Sequence, residues 1–203
     1  MKFVFGLGNP EKEYAGTRHN VGKNVINVLA CELVDNHGFN IRKVFGSVFG
    51  NHSCGEWRVN RKLNAQIFKS DSVMLVKPLR YMNDSGVIIR DVVNFYKADF
   101  SDVAVVYDDL DLMVGEFKAK EGSATKVHNG VGSILDAIGA KNFKKIFYVK
   151  VGVREKKIPM SVKNFGLKPN TYVLGKFPKE DKIIIDDMIK NAVVPAILTW
   201  LSK

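Results

Sequence analysis

Hydrophobic residues in this chain fall into short continuous runs and longer helical repeats, and the two kinds alternate. Phe3-Val4-Phe5 is an apolar run of strand length, followed over residues 6–20 by a loop rich in glycine, proline and polar side chains. Val21, Val25, Val28, Leu29 and Leu33 then recur at helical spacing, with turn chemistry at residues 36–38. Strand-like runs follow at 47–49, 66–68 and 73–76, and Ile88, Val92 and Phe95 mark one face of a second helix over 84–96. Val103-Ala104-Val105-Val106-Tyr107 is apolar throughout, as expected of a strand covered on both faces, and it runs into Asp108-Asp109-Leu110-Asp111. Lys118 and Lys120 alternate with Phe117 and Ala119 as on a half-exposed strand. A helix over 131–138, a strand over 146–151 and a last helix over 179–201 complete the pattern. The alternation predicts an α/β fold, with a twisted, mixed, partly parallel sheet flanked by helices. Without an internal repeat, low-complexity segment or linker, residues 1–203 read as one domain.

Composition narrows the setting. With 46% apolar and 26% charged residues the chain is neither disordered nor a small disulfide scaffold. Cys31 and Cys54 are too few for a disulfide framework and have no CxxC or Cys/His cluster around them, which points to a reducing, cytoplasmic setting. Only about five apolar residues precede Gly8-Asn9-Pro10, too few for a signal peptide. The apolar stretch 182–201 is interrupted by Asp186, Asp187, Lys190 and Pro195, so it is not expected to span a membrane. The net charge of +10 is uneven: residues 1–115 hold 14 basic and 13 acidic side chains, residues 116–203 hold 17 and 8. A basic half within a globular chain attracts polyanions, and nucleic acid is the leading partner class; the plain alternative is that these lysines only confer solubility.

Three loops hold the candidate chemistry. Asn9, Tyr14, Thr17, Arg18, His19 and Asn20 lie between the first strand and helix; Tyr81, Met82 and Asn83 lie between another such pair; His128-Asn129-Gly130 precede a third helix. Loops at strand ends are where α/β sites assemble, and Asp108 at its strand end would join them. A histidine titrates near 6.5 and serves as a general base at neutral pH, while a carboxylate on its second ring nitrogen fixes the tautomer and stabilises the imidazolium. His19 with Asp108 is such a pair, and primary amides add neutral donors for a carbonyl or oxyanion. Commoner routes are missing. Glu11 stands where a dinucleotide-binding G-x-G-x-x-G needs its third glycine, and there is no G-x-S-x-G, G-x-x-x-x-G-K-[ST] or H-E-x-x-H. Two alternatives stay open: Asp108, Asp109 and Asp111 as Mg²⁺ ligands, and His52 with Cys54 as a dyad on one strand face. His37, beside a turn glycine, reads as surface.

Several blocks, in order and nearly end to end, resemble the bacterial-type peptidyl-tRNA hydrolases: GLGNPEKEYAGTRHNVG at 6–22, KPLRYMNDSG at 77–86, YDDLDLMVGEFKAKEGS at 107–123, HNGVGSI at 128–134 and YVLGKFP at 172–178. The resemblance implies hydrolysis of the ester between a peptide and the 3′ ribose of tRNA by an activated water, with no cofactor, metal or covalent nucleophile. It implies His19 as catalytic base, Asp108 as its partner and Asn9 as the residue that senses the acylated amino group. Asn83 and Asn129 become amides that position the substrate end, Tyr14 and Tyr81 line the same crevice, and His128 is auxiliary. Lys118 and Lys120 match the family's basic strand and Lys150 a later basic residue, suited to phosphate contacts that accept many tRNAs. A cytoplasmic monomer with tRNA as partner and no membrane association is the implied setting. The chain departs from the family at Glu11, which replaces a glycine, at 112–115, which replaces a proline-containing turn, and at Lys126-Val127, which replaces glycines before His128. A catalytically silent RNA-binding relative is the rival reading; the joint presence of Asn9, His19, Asn83, Asp108 and Asn129 speaks against it, because a binder needs no base.

Overall fold

Phe3-Val4-Phe5 forms β1 (Lys2–Gly6), the central strand of a seven-stranded sheet. The computed structural model describes residues 1–35, 54–124, 127–156 and 169–203. The other strands are β2 (Arg58–Asn60), β3 (Ala65–Lys69), β4 (Val73–Pro78), β5 (Val103–Met113), β6 (Phe117–Glu121) and β7 (Phe147–Arg154), in the order β2-β3-β4-β1-β5-β7-β6. β1 pairs in parallel with β4 and β5, and β5 with β7, whereas β2, β3 and β6 join antiparallel. The sheet is thus mixed and parallel at its centre, as the alternation of runs and repeats implies.

Both faces of the central strands are covered, which explains their unbroken apolarity. Val4, Ala104, Val106 and Val151 point into one core, beneath α1 (Val21–Asp35), α5 (Lys179–Met188) and α6 (Val194–Leu201). Phe3, Phe5, Val105, Tyr107 and Tyr148 point into the other, beneath α2 (Ser85–Phe95) and α3 (Asn129–Phe143). Phe5 is fully buried, so Phe5→Ala would cost on the order of 3–5 kcal/mol. Among the described residues no helix is long and apolar enough to cross a membrane.

Several boundaries differ from expectation. β5 does not stop at Tyr107 but continues to Met113, with a register shift against β7 between Asp109 and Met113. The last helix is divided: α5 and α6 are joined by a π turn, Ile189–Val193, because Pro195 in the first turn of α6 has no N–H to continue the ladder. β2 and α4 (Pro169–Val173) carry no clear period and escape prediction. The expected turn at 36–38, the strand at 47–49, His37 and His52 lie outside the described residues. Cys31 and Cys54, expected in a reducing setting, are joined by a disulfide with their Cα atoms 4.8 Å apart, tying α1 to the segment that enters β2. Chain folding brings together two cysteines that their spacing of 23 residues leaves unrelated.

The chain leaves β1 toward α1 on one face and leaves β4 toward α2 on the other. A crevice opens between such diverging connections, at the carboxyl ends of the parallel strands. The loops after β1 and β4, the outer half of β5 and the start of α3 meet there.

Candidate active site

His19 sits on a one-turn 3-10 helix, Arg18–Asn20, that leads into α1. Its distance from β5 is set by two glycines. A Cβ on Gly22 would lie 2.3 Å from the Val106 carbonyl oxygen, and one on Gly6 would lie 2.4 Å from that of Gly22. The first turn of α1 therefore lies directly on the sheet, and His19 reaches Asp108.

Asp108 is 2% exposed and holds both histidines. His19 Nδ1 stands 2.9 Å and 3.0 Å from its two carboxylate oxygens, and His128 Nε2 stands 2.9 Å from Oδ1. The tautomers follow from the partners. His128 Nδ1 accepts the Val131 N–H at 3.3 Å as the cap of α3, so its Nε2 carries the hydrogen donated to Asp108. His19 donates from Nδ1, which leaves the lone pair of Nε2 free. Burial opposes charge on Asp108, but the two imidazoles outweigh it and hold the carboxyl well below the usual carboxylate range. For His19, burial works against protonation, while the charge and hydrogen bond of Asp108 prevail and raise its pKa above 6.5.

Two adjoining depressions form the crevice and share His19, Asn129, Asn170 and Val173. One extends along Asp108–Asp111 and Val127; the other contains Asn9, Tyr81, Met82, Asn83 and Leu174. Asn9 is 7% exposed, and its side-chain oxygen accepts the Met82 N–H at 3.0 Å. Its amide NH₂ is therefore the group left for a ligand, a donor suited to a carbonyl oxygen. Asn83 and Asn129 are exposed on the walls. Tyr81, 52% exposed, stands at the rim, where the Glu11 carboxylate, and then the other acidic groups nearby, push its pKa up to about 12. Tyr14 lies beside Tyr81 and outside the crevice wall, with its pKa raised by the neighbouring Glu13. Val127 is 89% exposed at the crevice, and His128 and Asn129 after it reach the site; Lys126 lies outside the described residues.

Lys118 and Lys120 lie apart from this cluster, exposed on the edge strand β6. Lys118 faces Lys150 across β7, and Lys150 faces Tyr107 across β5, so a basic row reaches the neighbour of Asp108 in two strand spacings, about 10 Å. Lys150 also lies 3.7 Å from Asp109.

Residue type and spacing alone assign no role to Arg18, Asn170 or Val173. Arg18 is buried, bonds Glu155 and the Lys176 carbonyl at 3.0 Å, and stacks 4.2 Å from the Tyr172 ring. It fixes α4, and with it Asn170 and Val173, over the crevice. A basic residue beside the candidate histidine is the available signal, but its burial and its partner 137 residues away are not visible in the sequence.

His19, Asp108 and His128 are the group among the described residues whose ligand atoms, within 4.8 Å of one another, could surround a metal. The hydrogen-bond polarity argues otherwise, since both nitrogens facing Asp108 act as donors, and the Val131 N–H keeps the hydrogen on His128 Nε2. The Asp108–Asp111 carboxylates do not converge either: Asp109 Oδ1 accepts the Asp111 N–H at 2.9 Å while Asp108 faces the histidines. Cys54 is in the disulfide and offers no thiolate.

The fold and site define a three-layer α/β enzyme whose crevice presents a carboxylate-oriented histidine and several amides. The sequence pattern of the family described as peptidyl-tRNA hydrolase matches residues 3–203, and the chain belongs to that family. It is 37% identical over 201 residues to the peptidyl-tRNA hydrolase of Lachnospira eligens, covering 98% of this chain and 94% of that one. It is 36% identical over 203 residues to that of Bacillus cytotoxicus, covering 100% and 94%. The crystal structure of peptidyl-tRNA hydrolase from Acinetobacter baumannii shares the fold at a TM-score of 0.68 and 23% identity, over 99% of this chain and 94% of that one.

Proposed function

We propose that the chain, acting over residues 1–203 as one domain, hydrolyses the ester of peptidyl-tRNA, an N-acylated aminoacyl-tRNA, to free tRNA and peptide. The observation that carries this reading is the His19 imidazole on the wall of an amide-lined crevice, with Asp108 occupying Nδ1 so that the lone pair of Nε2 is the basic one. A water bonded to Nε2 attacks the ester carbonyl carbon and gives its proton to His19. The negative charge that develops on the ester carbonyl oxygen meets amide donors from Asn83 and Asn129, while the NH₂ of Asn9 bonds the carbonyl of the N-acyl group next to the ester. Collapse breaks the bond to the ribose 3′ oxygen, which takes the proton back from His19. Asp108 stays ionised throughout and His128 holds it from the other side. Lys118 and Lys120 contact tRNA phosphates without reading sequence, and Tyr14 and Tyr81 border the emerging peptide. The enzyme acts as a monomer without metal or cofactor, and its cytoplasmic setting rests on the family alone, because the Cys31–Cys54 disulfide removes the argument from unpaired cysteines.

Single-turnover hydrolysis of an N-acetylated aminoacyl-tRNA tests the reading. His19→Ala is expected to lower the rate by roughly 10²–10⁴-fold with tRNA affinity little changed, and EDTA to leave the wild type unaffected. Activity within a few fold of wild type in the variant, or loss on chelation, would sink it.

A further inference from the structure

Behind the crevice wall lies a contact that the reaction scheme above does not use. The Asn9 carbonyl oxygen accepts two hydrogen bonds, one from Asn20 Nδ2 at 3.0 Å and one from Lys23 Nζ at 2.8 Å. Asn20 Oδ1 in turn accepts the Asn9 N–H at 2.8 Å, so the Asn9 backbone is gripped on both sides. We propose that Lys23 is a positioning residue for the hydrolysis: its ammonium holds the Asn9 peptide so that the amide of Asn9 presents its NH₂ to the substrate carbonyl. This rests on the role given to Asn9 above.

Three observations support it. First, the contact is built rather than incidental. A Cβ on Gly8 would lie 3.0 Å from the Lys23 Cδ and 2.8 Å from Asn20 Oδ1, so the aliphatic stem is packed against the loop it serves. Second, the ammonium is kept in an unfavourable place. The charged groups that face it are Lys77 on β4 and Glu11 in the same loop. Lys77 is itself 9% exposed, with its ammonium 3.5 Å from the centre of the Trp57 ring. A partly buried lysine beside a second cation loses hydration and gains repulsion, and the bond to Asn9 is its compensating contact. Third, Asn9 has no freedom to compensate alone. Its side-chain oxygen is held by the Met82 N–H and its backbone by Asn20 and Lys23, so the angle at which the NH₂ is presented depends on both ends, and a backbone shift tilts the amide about its Met82 anchor.

The site also carries a pH signature. Burial, then Lys77, lower the pKa of Lys23 to about 7, with Glu11 opposing. A neutral amine still donates to the Asn9 carbonyl, but more weakly than an ammonium. Positioning therefore declines as pH rises through about 7, while the His19 base requires the proton-free form that appears on the same rise.

The test measures kcat/KM for an N-acetylated aminoacyl-tRNA, across pH, in wild type, Lys23→Met, Lys23→Arg and Asn9→Ala, with melting temperature recorded for each. Lys23→Met is expected to lose roughly tenfold, mainly in kcat, because a charged hydrogen bond to a positioning group is removed. Lys23→Arg is expected to recover to within about threefold and to lack the shallow alkaline decline of the wild type, since arginine keeps its charge. Lys23→Met within twofold of wild type, with Asn9→Ala strongly impaired, overturns the inference and leaves the reading of Asn9 standing. Asn9→Ala without effect overturns both. A loss in Lys23→Met that tracks melting temperature and is not rescued by arginine, or identical alkaline limbs in wild type and Lys23→Arg, assigns Lys23 to packing and overturns the inference.

Discussion

Around Asp108 and along β6 the same protein treats charge in opposite ways. Asp108 is 2% exposed, His19 is 7% exposed, and each polar group facing the carboxylate has a partner at about 3 Å. Lys118 and Lys120, two strands away, point into solvent from an edge strand. Water is thin at the first place and abundant at the second, so a unit charge acts strongly over a few ångströms at one and diffusely over a Debye length at the other. Rate is accordingly expected to depend on the inner cluster, and affinity, with its response to salt, on the outer row.

The largest effect should come from the inner cluster. Asp108→Asn is expected to lower kcat/KM by roughly 10²–10⁴-fold, because the neutral amide no longer stabilises the imidazolium and can bind the wrong tautomer. The residual activity should shift with pH in a defined direction. The base works only when His19 is unprotonated, so the acid limb of wild-type kcat/KM lies above pH 6.5, where Asp108 has raised it. Without the carboxylate, burial is unopposed and the limb moves to lower pH. A limb that stays in place would separate the pH response from the His19–Asp108 pair.

Asn9→Ala removes a single donor from the crevice wall, on the side of β5 away from β6. The preference for N-acylated over free aminoacyl-tRNA is expected to narrow by about ten- to a hundredfold, measured as a ratio of kcat/KM values, since a site built to bond a substrate group discriminates through that bond. An unchanged ratio would place substrate choice elsewhere.

The smallest effect on rate, and the sharpest test of the contrast, lies on β6. Lys118→Ala with Lys120→Ala should leave single-turnover hydrolysis of bound substrate unchanged and weaken different tRNAs alike. The slope of log affinity against log salt should fall by somewhat less than about one unit for each lysine–phosphate pairing removed. If the slope is unaltered, these lysines serve solubility and tRNA is held elsewhere. A fall in the bound-substrate rate would erase the division between the two regions.

Much of this is legible in the sequence, for identifiable reasons. The strands β1, β4 and β5 announce themselves because both of their faces are buried, and α1 and α2 because each buries a single stripe. The candidate base and its partner can be paired from residue types, since few combinations place a histidine loop beside a strand-end aspartate. What cannot be read depends on tertiary approach. Gly6 and Gly22 look like ordinary loop and helix glycines until α1 lies against β5. Arg18 and Glu155 are separated by 137 residues, and α4 has only five residues in which to show a period. The extension of β5 through Asp108 and Asp109 is hidden because polar residues inside a strand read as its end. The Cys31–Cys54 bond shows the same limit: composition speaks to compartment, while proximity is a property of the folded chain.

Arg18 and His19 are consecutive residues of one short turn, yet they face different tasks: one reaches the C-terminal layer through Tyr172 and Glu155, the other reaches Asp108. Local opening of that turn is therefore expected to release wall and base together. In native-state hydrogen exchange, the amides of Arg18, which bonds the Gly175 carbonyl at 3.1 Å, and of Glu155, which bonds the Tyr172 hydroxyl at 3.0 Å, should share one opening free energy.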